Sequence, residues 1–406
     1  METIITDKIT FGGNCLAKIN GKAVFVPFAI PGETLDVEIT EEKRDYCNAR
    51  IVKIENPSPF RQKPVCPLYE KCGGCNMMHI QEDYQRVLRK EILKDSFLHN
   101  GIELKSDFIE VISGNNLNYR SRIQLNNGGF CGRKTNEIIP IDNCFCAVPE
   151  INEWLLNTSV KERGAGRSNV FGSKNIISAG SDENSKVLIA KTEEKVNIKN
   201  ESNKKNKNFK QIKKHYMGTT FSEDNTIRIK ILNKEILFDV RGFFQSNIEV
   251  LEKSIEKICS GLFGSSVLDM YAGCGTFSVF LADKFKDLTL VEHNRDALVF
   301  AEMNLSGIKH QAFGLSGEKW VNLNRNAYFD AVVIDPPRSG IEKEVLLWLS
   351  KSNIPQIRSV SCDPATHARD IKVLLNSGYE LKKLYLLDFY PNTSHIESLA
   401  ILEKTL

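Results

Sequence analysis

Hydrophobic and polar positions alternate along this chain with two different periods. Over residues 1–60 the runs TIITDKITF, KAVFVPF, TLDVEITEEK and CNARIVKIENP alternate at nearly every residue, and GGN, NGK and IPGE interrupt them. That pattern predicts about five short strands, enough for a small barrel of the oligonucleotide-binding kind. The stretch QEDYQRVLRKEILKDSFL changes to helical spacing, and residues 105–190 mix strands with loops. From about Ile227 strands and helices take turns: SSVLDMYAG, LTLVEH, FDAVVIDPP and IRSVSCDP, each followed by a helix, then LYLLDFY and SLAILEK. Such alternation predicts a doubly wound, mostly parallel sheet.

The expected architecture is therefore α/β in three parts. An OB-like β-barrel covers 1–60, an α+β central region covers 61–235, and a Rossmann-like sheet covers 236–406. Inside the central region, KNESNKKNKNFKQIKK (199–214) holds seven lysines, one glutamate and almost nothing apolar. It cannot bury a core and is expected to be a solvated loop.

Composition narrows the class. Hydrophobic residues at 41% and charged residues at 26% over 406 positions fit a soluble globular chain of more than one domain. No apolar run approaches a membrane span, and METIITDKITFGG has no signal-peptide core, so a cytoplasmic protein is expected. A net charge of +3 neither demands nor excludes nucleic acid. Eleven cysteines in such a setting point to metal binding, catalysis or packing rather than to disulfides.

Four constellations carry candidate chemistry. In VLDMYAGCGTF a strand ends in Gly273-x-Gly275, where a ligand can approach the backbone, and Glu292 ends the next strand at the place of a ribose-binding carboxylate. The third glycine of the dinucleotide fingerprint is missing, since Thr276, Phe277 and Ser278 follow. A nucleoside cofactor without pyrophosphate, such as S-adenosylmethionine, suits this better; a ligand-free turn is the plain alternative. In FDAVVIDPPRSG, Asp335 sits at another strand end. In SVSCDPATHARD, Cys362 lies between a strand and a helix, with Asp363 as N-cap and Pro364 opening the helix. The helix terminus would favour the thiolate, making Cys362 a candidate nucleophile, although position alone more often means a structural cysteine. Finally, Cys66-x5-Cys72-x2-Cys75 encloses Gly73-Gly74 and lacks one thiol of a closed four-cysteine site, which zinc or an iron–sulfur cluster would suit equally.

Together GFFQSN, LDMYAGCGTF, IDPPRSG, SVSCDPATHARD and DFYPNTSHIESLAIL resemble the RNA 5-methyluridine methyltransferases. CPLYEKCGGCNMMH is similar to the cysteine motif of the 23S rRNA branch, and FGGNCLAKINGKAVFVPFAIPGE to its TRAM domain. The resemblance implies that Cys362 attacks C6 of a uridine, that C5 takes a methyl group from S-adenosylmethionine, and that Glu397 removes the C5 proton. It implies cofactor contacts at Gln245, Tyr271, Gly273, Gly275, Thr276, Glu292 and Asp335. It implies a [4Fe–4S] cluster on Cys66, Cys72, Cys75 and Cys144, with Cys146 a close rival by spacing. The partner implied is RNA, 23S rRNA first, met by a monomer with no membrane or DNA role. A tRNA substrate is the runner-up, although that branch usually lacks the cysteine motif and barrel. A non-catalytic iron–sulfur RNA-binding or assembly factor is the alternative from another class. Asp363 departs from the family's asparagine and is expected to raise the thiol pKa. Thr276 and residues 313–316 depart near the cofactor.

Overall fold

In the computed structural model, which describes residues 1–105, 107–191 and 222–404, the lysine-rich stretch 199–214 lies outside the described residues. Strands β1 (Glu2–Ile5), β2 (Lys8–Ile9), β3 (Asn14–Ile19), β4 (Lys22–Pro27), β5 (Thr34–Glu42) and β6 (Tyr46–Asn56) form one barrel-like sheet in the order β1-β5-β6-β4-β3-β2. Their alternation turns Cys15, Ala17, Val24, Val26, Leu35 and Val37 inward. There are six strands rather than five because TIITDKITF breaks at Thr6, whose N–H donates to the Glu33 carbonyl and whose hydroxyl donates to Ile30. Glu33 is itself fully buried. Its carboxylate accepts from Ile30 N, Ser58 N and both Nε and Nη2 of Arg61, tying the barrel to the segment that leaves it.

Helix α1 (Glu82–His99) buries Leu88, Ile92, Leu93 and Phe97 along one face, and β7 (Ile109–Ile112) follows. Next come β8 (Arg122–Asn126), β9 (Phe130–Cys131), β10 (Ile138–Ile139), α2 (Pro149–Asn157) and α3 (Val160–Arg163). Then come β11 (Arg167–Gly172), β12 (Ile176–Ala179), β13 (Val187–Lys191), β14 (Thr226–Ile231) and β15 (Lys234–Asp239). Among the described residues three small sheets result, β10-β9, β13-β11-β8 and β12-β14-β15. The strand–helix alternation therefore starts later than Ile227: β14 and β15 are a hairpin turned at Leu232–Asn233.

The remaining elements are α4 (Ile248–Cys259), β16 (Ser266–Met270), α5 (Thr276–Leu281), β17 (Asp287–Val291), α6 (Arg295–Asn304), β18 (His310–Phe313), α7 (Gly317–Leu323), β19 (Ala331–Ile334), α8 (Lys343–Lys351), β20 (Gln356–Ser361), α9 (Pro364–Leu375), β21 (Tyr379–Leu387) and β22 (Glu397–Lys404). Their sheet runs β18-β17-β16-β19-β20-β22-β21-β7, parallel except where β22 opposes both neighbours. Strands such as Ala331–Ile334 are buried throughout because helices cover both faces. Strand pairing crosses the boundary drawn at residue 236: β7 forms the far edge of this sheet, and α1 packs on α9 and β21. Among the described residues no helix is long and apolar enough to cross a membrane.

Candidate active site

Strand order alone gathers most of the candidate residues. The sheet changes direction of growth between β16 and β19, the switch point where open α/β sheets bind ligands. At that edge Glu292 follows β17, Tyr271, Gly273 and Gly275 follow β16, Asp335 follows β19 and Cys362 follows β20. Antiparallel β22 begins there with Glu397. Ser361 pairs with Ser398, so Cys362 and Glu397 flank the last rung of neighbouring strands, roughly 5 Å apart by strand spacing.

On the β16–β17 side the backbone leaves room. Gly273 has φ +58°, and a Cβ there would meet nothing within 4 Å. Gly275 (φ +78°) opens α5, and its Cβ would press on Ala301 at 3.1 Å. Glu292 accepts from Gly273 N (2.8 Å) and Asn294 N (2.5 Å), which fixes its carboxylate across the turn. Thr276 starts α5 with its hydroxyl 3.4 Å from Cys274 Sγ, and Tyr271 donates to Glu342 Oε2 (3.0 Å). Gln245 Oε1 is a buried acceptor without a protein partner, which leaves it available to a bound donor. Open space beside a glycine, a fixed carboxylate and an orphan acceptor fit S-adenosylmethionine.

On the β20–β22 side the charges interact. Burial first, then the carboxylates of Glu397 and Asp335, push the Cys362 thiol up to about 11, while Arg338 opposes them. This overturns the expectation that the helix terminus leaves a ready thiolate. Asp363 does cap α9, accepting from Ala365 N (3.0 Å) and Thr366 N (2.9 Å), but it is not among the principal charges acting on the thiol. Burial and Asp335 also raise Glu397 to about 8, against a hydrogen bond from Gln245 and the charge of Arg338. Asp335 rises to about 7 through burial and the nearby Asp269 and Glu292. Arg338 and Tyr390 lie within electrostatic reach of this group and were not singled out from the sequence, although IDPPRSG and DFYPNTSH contain them.

The cysteine motif lines a separate cavity of about 440 Å³. Cys66, Cys72, Cys75, Cys144 and Cys146 all border it, and so does Cys131, which no spacing had marked. Cys75 Sγ lies 3.6 Å from Cys146 Sγ, Gly74 N donates to Cys72 Sγ (3.4 Å), and Asn126 Nδ2 donates to Cys131 Sγ (2.9 Å). All are free thiols, and among the described residues no three of them converge on one metal position. The donor set is soft and sulfur-only. Such thiols suit zinc or an iron–sulfur cluster alike.

The family described as tRNA (Uracil-5-)-methyltransferase matches residues 318–405, and the TRAM domain matches residues 1–52. An RNA methyltransferase of Treponema denticola is 36% identical over 99% of both chains. One of Aquifex aeolicus is 30% identical over 98% of both. A Shewanella protein named 23S rRNA (uracil(1939)-C(5))-methyltransferase is 28% identical, covering 96% of this chain and 93% of its own. The solved structure of Pyrococcus abyssi tRNA (uracil-54, C5)-methyltransferase with S-adenosyl-L-homocysteine shares the fold, with TM-score 0.71 and 22% identity over 99% and 100% of the two chains.

Proposed function

The chain belongs to the S-adenosylmethionine-dependent RNA (uracil-5-)-methyltransferases, and from that premise we propose that it converts a uridine of 23S rRNA to 5-methyluridine through a covalent bond to Cys362. The observation that carries the reading is the pairing of β20 with β22, which sets a thiol and a carboxylate side by side at the ligand-binding edge. Cys362 Sγ adds to C6 and makes C5 nucleophilic, which an unactivated uracil is not. When bound, S-adenosylmethionine supplies the methyl group that C5 accepts. Glu397 then takes the C5 proton, the C5–C6 double bond re-forms, and the C6–S bond breaks. A carboxylate whose proton affinity is raised to about 8 is a stronger base than an ordinary one, which serves this step. Gln245 orients Glu397. The unpartnered Oε1 of Gln245, together with Glu292, Gly273, Gly275, Thr276, Tyr271 and Asp335, forms the cofactor side. A target base paired in a helix has to be flipped out to reach the thiol.

For the cavity we propose a [4Fe–4S] cluster held by Cys66, Cys72, Cys75 and Cys144, with Cys146 as the competing fourth ligand. What supports it is the gathering of six cysteines, Cys131 among them, around one cavity. Anaerobically purified protein should contain iron and sulfide, and stoichiometric zinc without iron would reject the cluster.

The function is tested by labelled-methyl transfer to unmodified 23S rRNA and, in parallel, to unmodified tRNA. Label recovered as 5-methyluridine in 23S rRNA supports the proposal. Label in tRNA alone moves the substrate to the runner-up, and RNA binding without transfer favours a non-catalytic factor.

A further inference from the structure

The segment joining β21 to β22 ends on Glu397, and residues from distant parts of the chain grip it. Asn392 sits at its centre, buried and in the left-handed region at φ +64°. Its side-chain carbonyl accepts from Gln85 Nε2 (3.1 Å), and its own N–H donates to Gln85 Oε1 (2.9 Å), so the two residues close a reciprocal pair. Nδ2 of Asn392 donates to the Asn116 carbonyl (2.8 Å) and reaches Cys146 Sγ at 3.9 Å. Its backbone carbonyl accepts from the N–H groups of Asn76 (3.1 Å) and Met77 (3.0 Å). Asn76 then holds Ser394 twice, accepting from its N–H (2.8 Å) and donating to its hydroxyl (2.9 Å). At the other end, buried Asp388 is paired with Arg86 (3.1 Å) and Arg89 (2.9 Å).

This frame does not include Glu397 itself. It fixes the backbone entering it, and the left-handed turn at Asn392, unfavourable for a non-glycine residue, persists because every polar group of that residue is engaged. Cys362 is held by a different frame, in which Ser361 Oγ accepts from Asp363 N (3.2 Å) and Asp363 caps α9. Besides the β20–β22 pairing that they share, the nucleophile and the base each have a frame of their own.

We infer that Asn392, locked by Gln85 and Asn76, is a positioning residue for Glu397: it sets the carboxylate's approach to C5 and so controls release of methylated RNA, leaving addition of Cys362 untouched. The inference rests on the reading of Glu397 as the base. It also gives the walls of the thiol cavity a direct route to the chemistry, since Asn76 follows Cys75 and Asn392 touches Cys146.

The experiment compares wild type, Asn392→Gly, Asn76→Ala and Glu397→Gln on an unmodified 23S rRNA transcript and on the same transcript made with 5-fluorouridine. Fluorine at C5 cannot leave as a proton does, so on that substrate the reaction halts at the methylated adduct and reports only the earlier steps. Asn392→Gly keeps the left-handed backbone and deletes the side-chain lock. It should lower kcat about tenfold or more and KM in proportion, leaving kcat/KM, which reports the steps through methyl transfer, unchanged, in line with the sensitivity of reactions to small misplacement. Denaturation-resistant adduct should accumulate on ordinary RNA, while adduct on the fluorinated RNA forms at the wild-type rate. Asn76→Ala, at a half-buried side chain, should show the same split and serves if Asn392→Gly does not fold. Unchanged kcat, or equal slowing on both substrates, overturns the inference. Free release of methylated RNA by Glu397→Gln would instead remove the underlying reading, and the inference with it.

Discussion

At the scale of single residues, the thiol and carboxylate that must lose protons both hold them more tightly than usual. With Glu397 near 8 and Cys362 near 11, both are mainly protonated at pH 7, so the reactive forms grow as pH rises. Initial rates measured from pH 6 to 9 should therefore climb with pH. Arg338 lowers both groups, so Arg338→Gln should move the rising limb to higher pH and depress activity most at neutral pH. A limb that stays in place would show that Arg338 does not face these groups in the working enzyme. Asp363 is different in kind. Asparagine caps a helix as well as aspartate does, so Asp363→Asn should leave the pH profile and melting temperature nearly unchanged, while Asp363→Ala should cost about 1 kcal/mol of stability. Denaturant melts and rate profiles of the two variants check both statements.

At the scale of elements, the two glycines after β16 separate a packing role from a binding role. Alanine at Gly275 would carry a left-handed backbone and press on Ala301, so both melting temperature and cofactor affinity should fall. Alanine at Gly273 meets open space. Gly273→Ala should lose roughly 1–2 kcal/mol from backbone strain alone, and its methyl should weaken S-adenosylmethionine binding by calorimetry out of proportion to that loss. Equal binding in wild type and Gly273→Ala would place the cofactor elsewhere. Such local features were legible in the sequence. The cap at Asp363, helix α9 from Pro364, and strands β16, β17, β19 and β20 all follow from neighbours within a few positions, whereas β18 and α7, between LTLVEH and FDAVVIDPP, were not expected. What was not legible is set by distant pairing. Residues 109–112 look like any short strand, and only β21, far along the chain, makes them part of the large sheet. Likewise the charge on Cys362 is governed first by burial and then by Glu397 and Asp335 from other strands, none of which its own neighbours display.

At the scale of the whole molecule, the barrel is built into the rest rather than appended. One apolar core runs from Val24, Val26 and Leu35 through Ile80, Leu88 and Leu93 to Ile371 and Leu384. The Glu33–Arg61 pair bridges barrel and following segment with Glu33 fully buried, so Glu33→Ala, which strands Arg61 and two N–H groups, should destabilise by about 3–5 kcal/mol. A single thermal transition that falls as one unit would confirm the coupling, whereas loss confined to a separate early transition would refute it. This continuity also explains why the base can be set by residues of α1 and the cysteine motif, elements that the sequence alone assigned to another domain. The central claim is a covalent passage through Cys362, and trapping it is the most direct test. Glu397→Gln, incubated with S-adenosylmethionine and unmodified 23S rRNA and then denatured, should remain bonded through Cys362 to RNA whose uridine already carries the new methyl group. The same adduct should be absent when Cys362→Ala is added. Full methyl transfer by Cys362→Ala, or release of methylated RNA from Glu397→Gln without any adduct, would contradict the account.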